Sequence, residues 1–367
     1  MRQRSILLLI ALFGFISIRS DAGDQAAGLP DWCVGPFTRP PEAKPIIKPD
    51  PASVFNCPMR KIPVHWEAAH TFNPAAVVKD GKIYVLYRAE DDLGHGIGGY
   101  TSRLGLAVSE DGINFKKMPE PVLYPAEDDQ KGNEWEGGCE DPRVVEMEDG
   151  TYSLFYTEWM RLPGKRKARL GLATSKDLIH WTKLGPVVAG KIHPSKSASL
   201  VCRVVGDRLV AAKINGRYWL YFGEGAIQLL SSPDLRTWEP ASGVLLDRRP
   251  GKFDADLAEC GPPALMTSKG IVLMYNGKNG KALDDIGVGH RAYSGGQALF
   301  SATDPSHLID RTDVPFIKPE LPWEKSGQYT AGTTFIEGLV LFKHQWFLYY
   351  GCADTYVGVA VAPYHPI

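Results

Sequence analysis

Tyr84-Val85-Leu86-Tyr87-Arg88, Tyr152-Ser153-Leu154-Phe155-Tyr156-Thr157, Tyr218-Trp219-Leu220-Tyr221-Phe222-Gly223-Glu224, Val272-Leu273-Met274-Tyr275-Asn276-Gly277 and Trp346-Phe347-Leu348-Tyr349-Tyr350-Gly351 repeat one pattern. Each is a short aromatic run that ends in Tyr or Phe and passes into polar residues. With Tyr87, Tyr156, Tyr221, Tyr275 and Tyr350 as markers, the spacings are 69, 65, 54 and 75 residues. A supersecondary unit that recurs in this way predicts a stacked or closed array of like units.

The flanking residues define the unit. Lys79-Asp80-Gly81-Lys82, Glu148-Asp149-Gly150-Thr151 and Ile214-Asn215-Gly216-Arg217 set Asp-Gly or Asn-Gly between β-rich runs, a strong hairpin signal. After the aromatic run comes Leu104-Gly105-Leu106-Ala107-Val108-Ser109 with Asp111 to Phe115. It returns as Leu170 to Ser175 with Asp177 to Trp181, and more weakly as Ile227 to Ser232 with Asp234 to Trp238. Four strands repeated five times predict an all-β fold, a five-bladed β-propeller, over residues 61–367. A β-sandwich shares the alternation but not the repeat. The last unit, Tyr356 to Ala362, lacks an outer strand, and Ile62–Trp66 is expected to supply it and close the ring.

Residues 1–22 stand outside the array. Arg2 and Arg4 precede an apolar run from Ile6 to Ile18, and Ser20-Asp21-Ala22 offers small residues for cleavage. That pattern is a secretory signal peptide, too short to span a bilayer. Bulky Leu29-Pro30-Asp31-Trp32 before Cys33 argues against a lipid anchor, so a periplasmic or secreted protein without membrane insertion is expected. Residues 23–60 are rich in Pro and polar groups and read as an irregular arm. Removing the leader takes the formal charge from −1 to −3. No basic patch points to nucleic acid. The six cysteines form no CxxC pair, so no zinc or other metal site is expected. Cys33–Cys57 is the first disulfide to test, since export permits one.

In a ring of blades the innermost strands line the axis. The residues that open those strands are Asn73-Pro74-Ala75, Glu140-Asp141-Pro142-Arg143, Lys196-Ser197-Ala198-Ser199, Glu259-Cys260-Gly261-Pro262-Pro263 and Thr333-Thr334. After the aromatic strands come Arg88 with Glu90-Asp91, Glu158, Glu224, Asn276 and Asp354. Several carboxylates converging on a pocket with Trp and Tyr suit a carbohydrate. Sugar hydroxyls need acceptors, sugar faces need apolar surface, and cleavage needs an acid on one side and an activated nucleophile on the other.

These motifs are recognisable together. Gly137-Gly138-Cys139-Glu140-Asp141-Pro142-Arg143, Asp149-Gly150, Tyr156-Thr157, Tyr87-Arg88, Ser102-Arg103-Leu104-Gly105, Gly261-Pro262-Pro263 and Tyr350-Gly351-Cys352-Ala353-Asp354-Thr355 resemble glycoside hydrolase family 130 in order and content, from about Asn73 to Ala362. The resemblance implies a five-bladed propeller acting on β-mannosides without a cofactor, either as an inverting phosphorylase or as a hydrolase. It implies that Asp141 is the proton donor, acting through a mannose hydroxyl. Asn73, Arg88, Arg103 and Asp354 would hold the mannose. Lys196 and Asn276 join the substrate-binding set by their strand positions.

One departure bears on the nucleophile. Phosphorylases of that family generally carry Arg-Pro after the third aromatic strand and Tyr-His-Gly after the fourth. This chain has Gly223-Glu224 and Tyr275-Asn276-Gly277, with Glu259 before Gly261-Pro262-Pro263. A phosphate dianion needs converging cations, and Lys278, Arg203 and Arg291 are the cations available to rebuild such a site. Two carboxylates in their stead predict a water nucleophile polarised by Glu224 and Glu259. The expected substrate is a β-linked mannooligosaccharide or mannan-derived glycan, cut at β-1,2 linkages from the non-reducing end. Phosphorolysis yielding mannose 1-phosphate is the alternative, and a non-catalytic sugar-binding propeller is the alternative of another class.

Overall fold

The computed structural model describes residues 28–188 and 196–366, and those residues are almost entirely strand and turn. The expected signal peptide, and the start of the expected arm, lie outside the described residues. Successive antiparallel sheets follow the repeat. The first contains His70–Lys79, Lys82–Glu90, Ser102–Ser109 and Lys116–Lys117, and the second Gly138–Glu146, Tyr152–Leu162, Lys165–Ser175 and Thr182–Pro186. In the third, Ala198–Val205 pairs with both Arg208–Ala211 and Arg217–Phe222, followed by Ile227–Ser232 and Glu239–Leu246. The fourth opens with a broken strand, Leu257–Cys260 and Ala264–Thr267, because Pro262 and Pro263 have no N–H to give the ladder. Gly270–Lys278, Tyr293–Phe300 and Leu308–Arg311 complete it. The fifth has Thr334–Phe342, Gln345–Cys352 and Tyr356–Pro363.

The repeated aromatic has a physical job. Tyr87, Tyr156, Tyr221, Tyr275 and Tyr350 are fully buried. Four of their hydroxyls donate to a carboxylate at 2.8 Å, respectively Glu67, Glu134, Asp254 and Glu324, and Tyr221 donates to the Pro305 carbonyl. Each carboxylate also meets a cation, Lys117, Lys183, Arg249 with Arg311, or Arg39. The glycine of the following strand makes room. A methyl on Gly105 would lie 2.3 Å from the Tyr87 ring, and one on Gly296 would lie 2.5 Å from Tyr275. In the third sheet Leu229 stands opposite Tyr221, so that copy is weaker.

The turns repeat as well. Asp111, Asp177 and Asp234 accept from the Ser109, Ser175 and Ser232 hydroxyls at 2.9, 3.0 and 3.1 Å, and each gathers the backbone N–H groups that follow. Such side-chain turns end Ser102–Ser109, Lys165–Ser175 and Ile227–Ser232, with Gly112 at the left-handed position after the first Asp and Leu178 and Leu235 after the others.

Neighbouring sheets meet in parallel pairings, as at Ser102 with Gly138, Val210 with Glu146, Val201 with Ala264, and Tyr293 with Thr333. First and fifth also touch, since a methyl on Gly338 would lie 2.9 Å from the Pro74 carbonyl. The fifth sheet's outer partner is not Ile62–Trp66. Ile62–Val64 pairs with Phe55–Cys57 in a separate ribbon. The arm fills the vacancy instead: Thr38 exchanges backbone bonds with Val361 at 2.8 and 2.7 Å, and Ile46 and Ile47 bond Val357 at 2.9 and 3.1 Å. The Cys33–Cys57 pairing is also corrected. All six cysteines are unbridged. Cys33 packs against the core cluster around Trp32 and Trp346, whereas Cys57 belongs to another cluster with Trp66.

Candidate active site

The inner strands lose step where they reach one cavity. The register shifts between Phe72 and Pro74, between Glu140 and Arg143, and between Ile336 and Gly338. Asn73 and Asp141 occupy the first two shifts at φ of +47° and +48°, and Ser197 and Asp354 are also left-handed at +57° and +50°. Asn and Asp tolerate this region better than other residues with a Cβ. A bulge turns a side chain away from the ladder, here toward a pocket of about 320 Å³ lined by Asn73, Arg88, Asp141, Lys196, Glu224, Glu259 and Asp354. Phe72, Trp159, Tyr293, Tyr329 and Phe335 supply its apolar surface, with Ile97 at the rim.

Two cations organise the carboxylates. Arg88 Nη2 meets Glu90 Oε1 at 2.6 Å and Glu140 Oε1 at 2.9 Å, and its Nη1 meets Asp141 Oδ1 at 3.3 Å. The guanidinium lies over the Phe72 ring at 4.6 Å. Asn73 Nδ2 donates to Asp141 Oδ1 at 2.8 Å, which leaves Asn73 Oδ1 buried and unpartnered beside the pocket. Lys196 Nζ stands 3.4 Å from Glu224 Oε1, 3.5 Å from Glu259 Oε1 and 4.0 Å from Asp141 Oδ2. Ser197 donates a short hydrogen bond to Glu259 Oε1.

The environments drive the carboxyl groups apart. Burial alone would raise Asp141, but Arg88, Lys196 and Arg143 together bring it below the usual carboxylate range. Burial lifts Glu140, aided by the charges of Asp141 and Glu90 and opposed by Arg88. Burial, with Glu90 and Asp141, pushes Asp354 up to about 7 against Arg88. Burial also raises Glu259, helped by Glu224 and restrained by Lys196. Burial would neutralise Lys196, yet Glu259, Glu224, Asp141 and Glu140 hold its ammonium charged. Adjacent carboxyl groups with opposed shifts are the pattern of acid–base chemistry.

Two expected site residues lie elsewhere. Arg103 is a buried structural cation, paired with Asp91 at 2.9 Å and bonded to the Thr101 carbonyl and Cys57 Sγ. Asn276 spends both ends of its amide on Ile336, donating to its carbonyl at 3.0 Å and accepting from its N–H at 2.8 Å. Glu158 likewise faces away from the pocket while its strand neighbours Thr157 and Trp159 line it. Of the cations available for an anion site, Arg203 pairs with exposed Glu148 at 2.9 Å, Lys278 stacks on Tyr293 at 5.4 Å, and Arg291 is exposed. None of the three lines the pocket.

Comparison with known proteins agrees with the motifs. The family model for glycoside hydrolase family 130, described as beta-1,4-mannooligosaccharide phosphorylase, matches residues 37–367. A 1,2-beta-oligomannan phosphorylase from Thermoanaerobacter sp. (strain X514) is 37% identical over 83% of this chain and 93% of its own length. A solved structure 48% identical, with a TM-score of 0.87 over 93% of this chain and 97% of that one, comes from work stating that the GH130 family of mannoside phosphorylases contains glycoside hydrolases that target beta-1,2 mannosidic linkages in Candida mannan. A glycosyl hydrolase from Bacteroides ovatus is 46% identical, with a TM-score of 0.86 over 93% and 97% of the two chains. With its motifs, its all-β sheets and these relatives in agreement, the chain belongs to glycoside hydrolase family 130.

Proposed function

We propose that this enzyme hydrolyses β-mannosides, releasing mannose from the non-reducing end of β-1,2-linked chains with inversion, on a five-bladed propeller. The charge balance of the pocket carries this reading. Its two cations are already engaged by carboxyl groups, Arg88 by Glu90, Glu140 and Asp141, and Lys196 by Asp141, Glu224 and Glu259. A phosphate dianion entering beside Glu224 and Glu259 would meet repulsion of about 4 kcal/mol per charge pair at contact, for an effective dielectric near 20. Water carries no such penalty, and Glu224 and Glu259 are ready to accept its proton.

The roles follow from the geometry. Asn73, Arg88 and Asp354 hold the mannose. Asp141 delivers a proton to the leaving oxygen through a mannose hydroxyl, and Glu140, the neighbouring carboxyl that burial keeps high, supplies that proton as the sugar displaces water. Glu224 and Glu259, steered by Lys196, polarise the attacking water on the other side. Since Lys196 Nζ lies 4.0 Å from Asp141 Oδ2 and 3.4 Å from Glu224 Oε1, those oxygens are at most about 7.4 Å apart, which meets only the lower end of the about 6.5–9.5 Å that leaves room for a water in inverting enzymes. The leader pattern of residues 1–22 supports action outside the cytoplasm, where an external glycan is at hand.

A second reading is phosphorolysis, and the activity named for the 37% identical relative favours it over hydrolysis. The products separate the two. β-1,2-Mannobiose incubated in phosphate-free buffer yields free mannose at a rate indifferent to added phosphate if water is the nucleophile. Mannose 1-phosphate, formed only when phosphate is present, would overturn the proposal.

A further inference from the structure

The arginine of the Glu140-Asp141-Pro142-Arg143 motif, so far only one of the cations that lower Asp141, meets the Gly261-Pro262-Pro263 motif. Arg143 is 1% exposed. Its Nη1 donates to the Asp141 carbonyl at 2.9 Å, its Nη2 to the Cys260 carbonyl at 2.8 Å and its Nε to the Gly261 carbonyl at 3.4 Å. Nη1 also lies 2.8 Å from Glu337 Oε1. One guanidinium thus spans the strand bearing the acid, the strand bearing Glu259, and the fifth sheet.

The anchor is unusual. Glu337 is fully buried in the bulge between Ile336 and Gly338, and beyond the Arg143 contact neither of its oxygens has a partner. Its carboxyl is held well above the ordinary range by burial, against the pull of Arg143. A buried ion pair is a poor source of stability compared with apolar packing. What it supplies is geometry. Asp141 stands on left-handed backbone at a register shift, where the ladder does not hold it. The strand of Glu259 ends one residue later, where Gly261 leads into two prolines. The ladder is interrupted at Asp141 and ends at Cys260, which still pairs with Tyr275, and Arg143 bonds the carbonyls at both.

We propose that Arg143, anchored by Glu337, is a positioning residue that sets the separation and aim of Asp141 and Glu259 across the pocket. The inference rests on the acid and base roles proposed above. Lysine has charge but not the fork: three donors on one nitrogen cannot reach carbonyls on two sheets as five donors on a planar group do.

The test is steady-state kinetics on β-1,2-mannobiose, with and without phosphate, alongside thermal unfolding. Arg143→Lys should fold, keep KM within about threefold because Asn73, Arg88 and Asp354 still hold the sugar, and lose about 10²-fold in kcat, the loss typical of a misplacement near 1 Å. Glu337→Gln keeps the volume and should lose at least about tenfold in kcat by the same route. The double variant should lose no more than Arg143→Lys alone, since the two act as one device. A folded Arg143→Lys with kcat within threefold of wild type, a KM that rises as kcat falls, or additive losses in the double variant would each overturn the proposal. Should Arg143→Lys not fold, Glu337→Gln decides alone, and wild-type kcat in it overturns the proposal. The wild-type products report separately on the nucleophile: mannose 1-phosphate would sink the hydrolase reading, while the variant-to-wild-type ratios would still judge the clamp.

Discussion

Replacing Lys196 by Met removes the cation that three carboxylates share. Its Nζ is 3.5 Å from Glu259 Oε1 and 4.0 Å from Asp141 Oδ2. At an effective dielectric near 20 those separations correspond to about 5 and 4 kcal/mol of attraction. Burying the ammonium offsets part of this, and the pair with Glu224, whose side chain is 37% exposed, is screened and adds little. Breaking a buried pair from one side typically costs about 3–5 kcal/mol. The protein relieves that cost by protonating Glu259, already raised by burial, so the base is occupied at neutral pH. At about 1.4 kcal/mol per tenfold, mannose release at pH 7 should fall by about 10²–10³-fold. Activity should partly recover as the pH rises, because alkali empties the base again. Initial rates between pH 5 and 9 for wild type, Lys196→Met and Lys196→Arg, with unfolding curves to confirm folding, make the measurement. Lys196→Met within tenfold of wild type at pH 7, with an unmoved acid limb, would refute the reasoning. A loss expressed only as a higher KM for phosphate would assign Lys196 to an anion site instead.

Other outcomes follow from the same geometry. Asn276→Ala strips both hydrogen bonds from the buried Ile336 backbone and should cost about 2–4 kcal/mol in chemical denaturation, with KM for mannobiose unchanged. Glu158 is raised to about 8 by burial, with Glu134 adding to burial and Arg169 opposing it, from an ordinary 4.5. The folded protein therefore holds a proton that the unfolded chain releases above about pH 4.5, and stability should fall as pH rises toward 8 and then level off. Glu158→Gln should flatten that slope and stabilise the protein at pH 8.5 by about 2–4 kcal/mol, read as the difference in melting temperature between pH 5.5 and 8.5. Gly105→Ala sets a methyl 2.3 Å from the Tyr87 ring and should destabilise by about 1–3 kcal/mol; an unchanged melting temperature would show that the ring is free to shift.

The repeat was legible because it has a local cause. A buried Tyr with a carboxylate on its hydroxyl and a glycine beneath its ring demands the same residues wherever it recurs, with Tyr221 the exception, and the Ser–Asp turn does likewise in three of the sheets. The outer strand of the last unit was misread, since Thr38–Ile47 carries no strand pattern and gains its partner only through tertiary contact with Val357 and Val361. At the site, four of the residues that open inner strands, Asn73, Asp141, Lys196 and Glu259, line the pocket, and they were legible because they sit near interruptions visible as Pro, Ser or Gly. Positions after the aromatic strands were less secure. Side chains alternate between faces, so an error of one residue reverses a side chain's direction, and Glu158 fell on the wrong face; Asn276 stands opposite Glu259 on the same face, but its amide is spent on the Ile336 backbone. Arg103 was misjudged because its counter-ion, Asp91, lies across a loop from it. Glu337 left one signal that went unused: a carboxylate inside the apolar run Thr334-Phe335-Ile336-Glu337-Gly338-Leu339 has to be explained by a buried partner.

The nucleophile is the centre of the account, and oxygen labelling tests it most directly. β-1,2-Mannobiose is cleaved in H₂¹⁸O containing phosphate, and the released mannose is followed by NMR and mass spectrometry from the first turnovers. Glu224 and Glu259 activating water predict ¹⁸O at C1 of the mannose, the α-anomer appearing first, and no dependence on phosphate. Unlabelled mannose 1-phosphate as the first product, with no cleavage once phosphate is withdrawn, would contradict it.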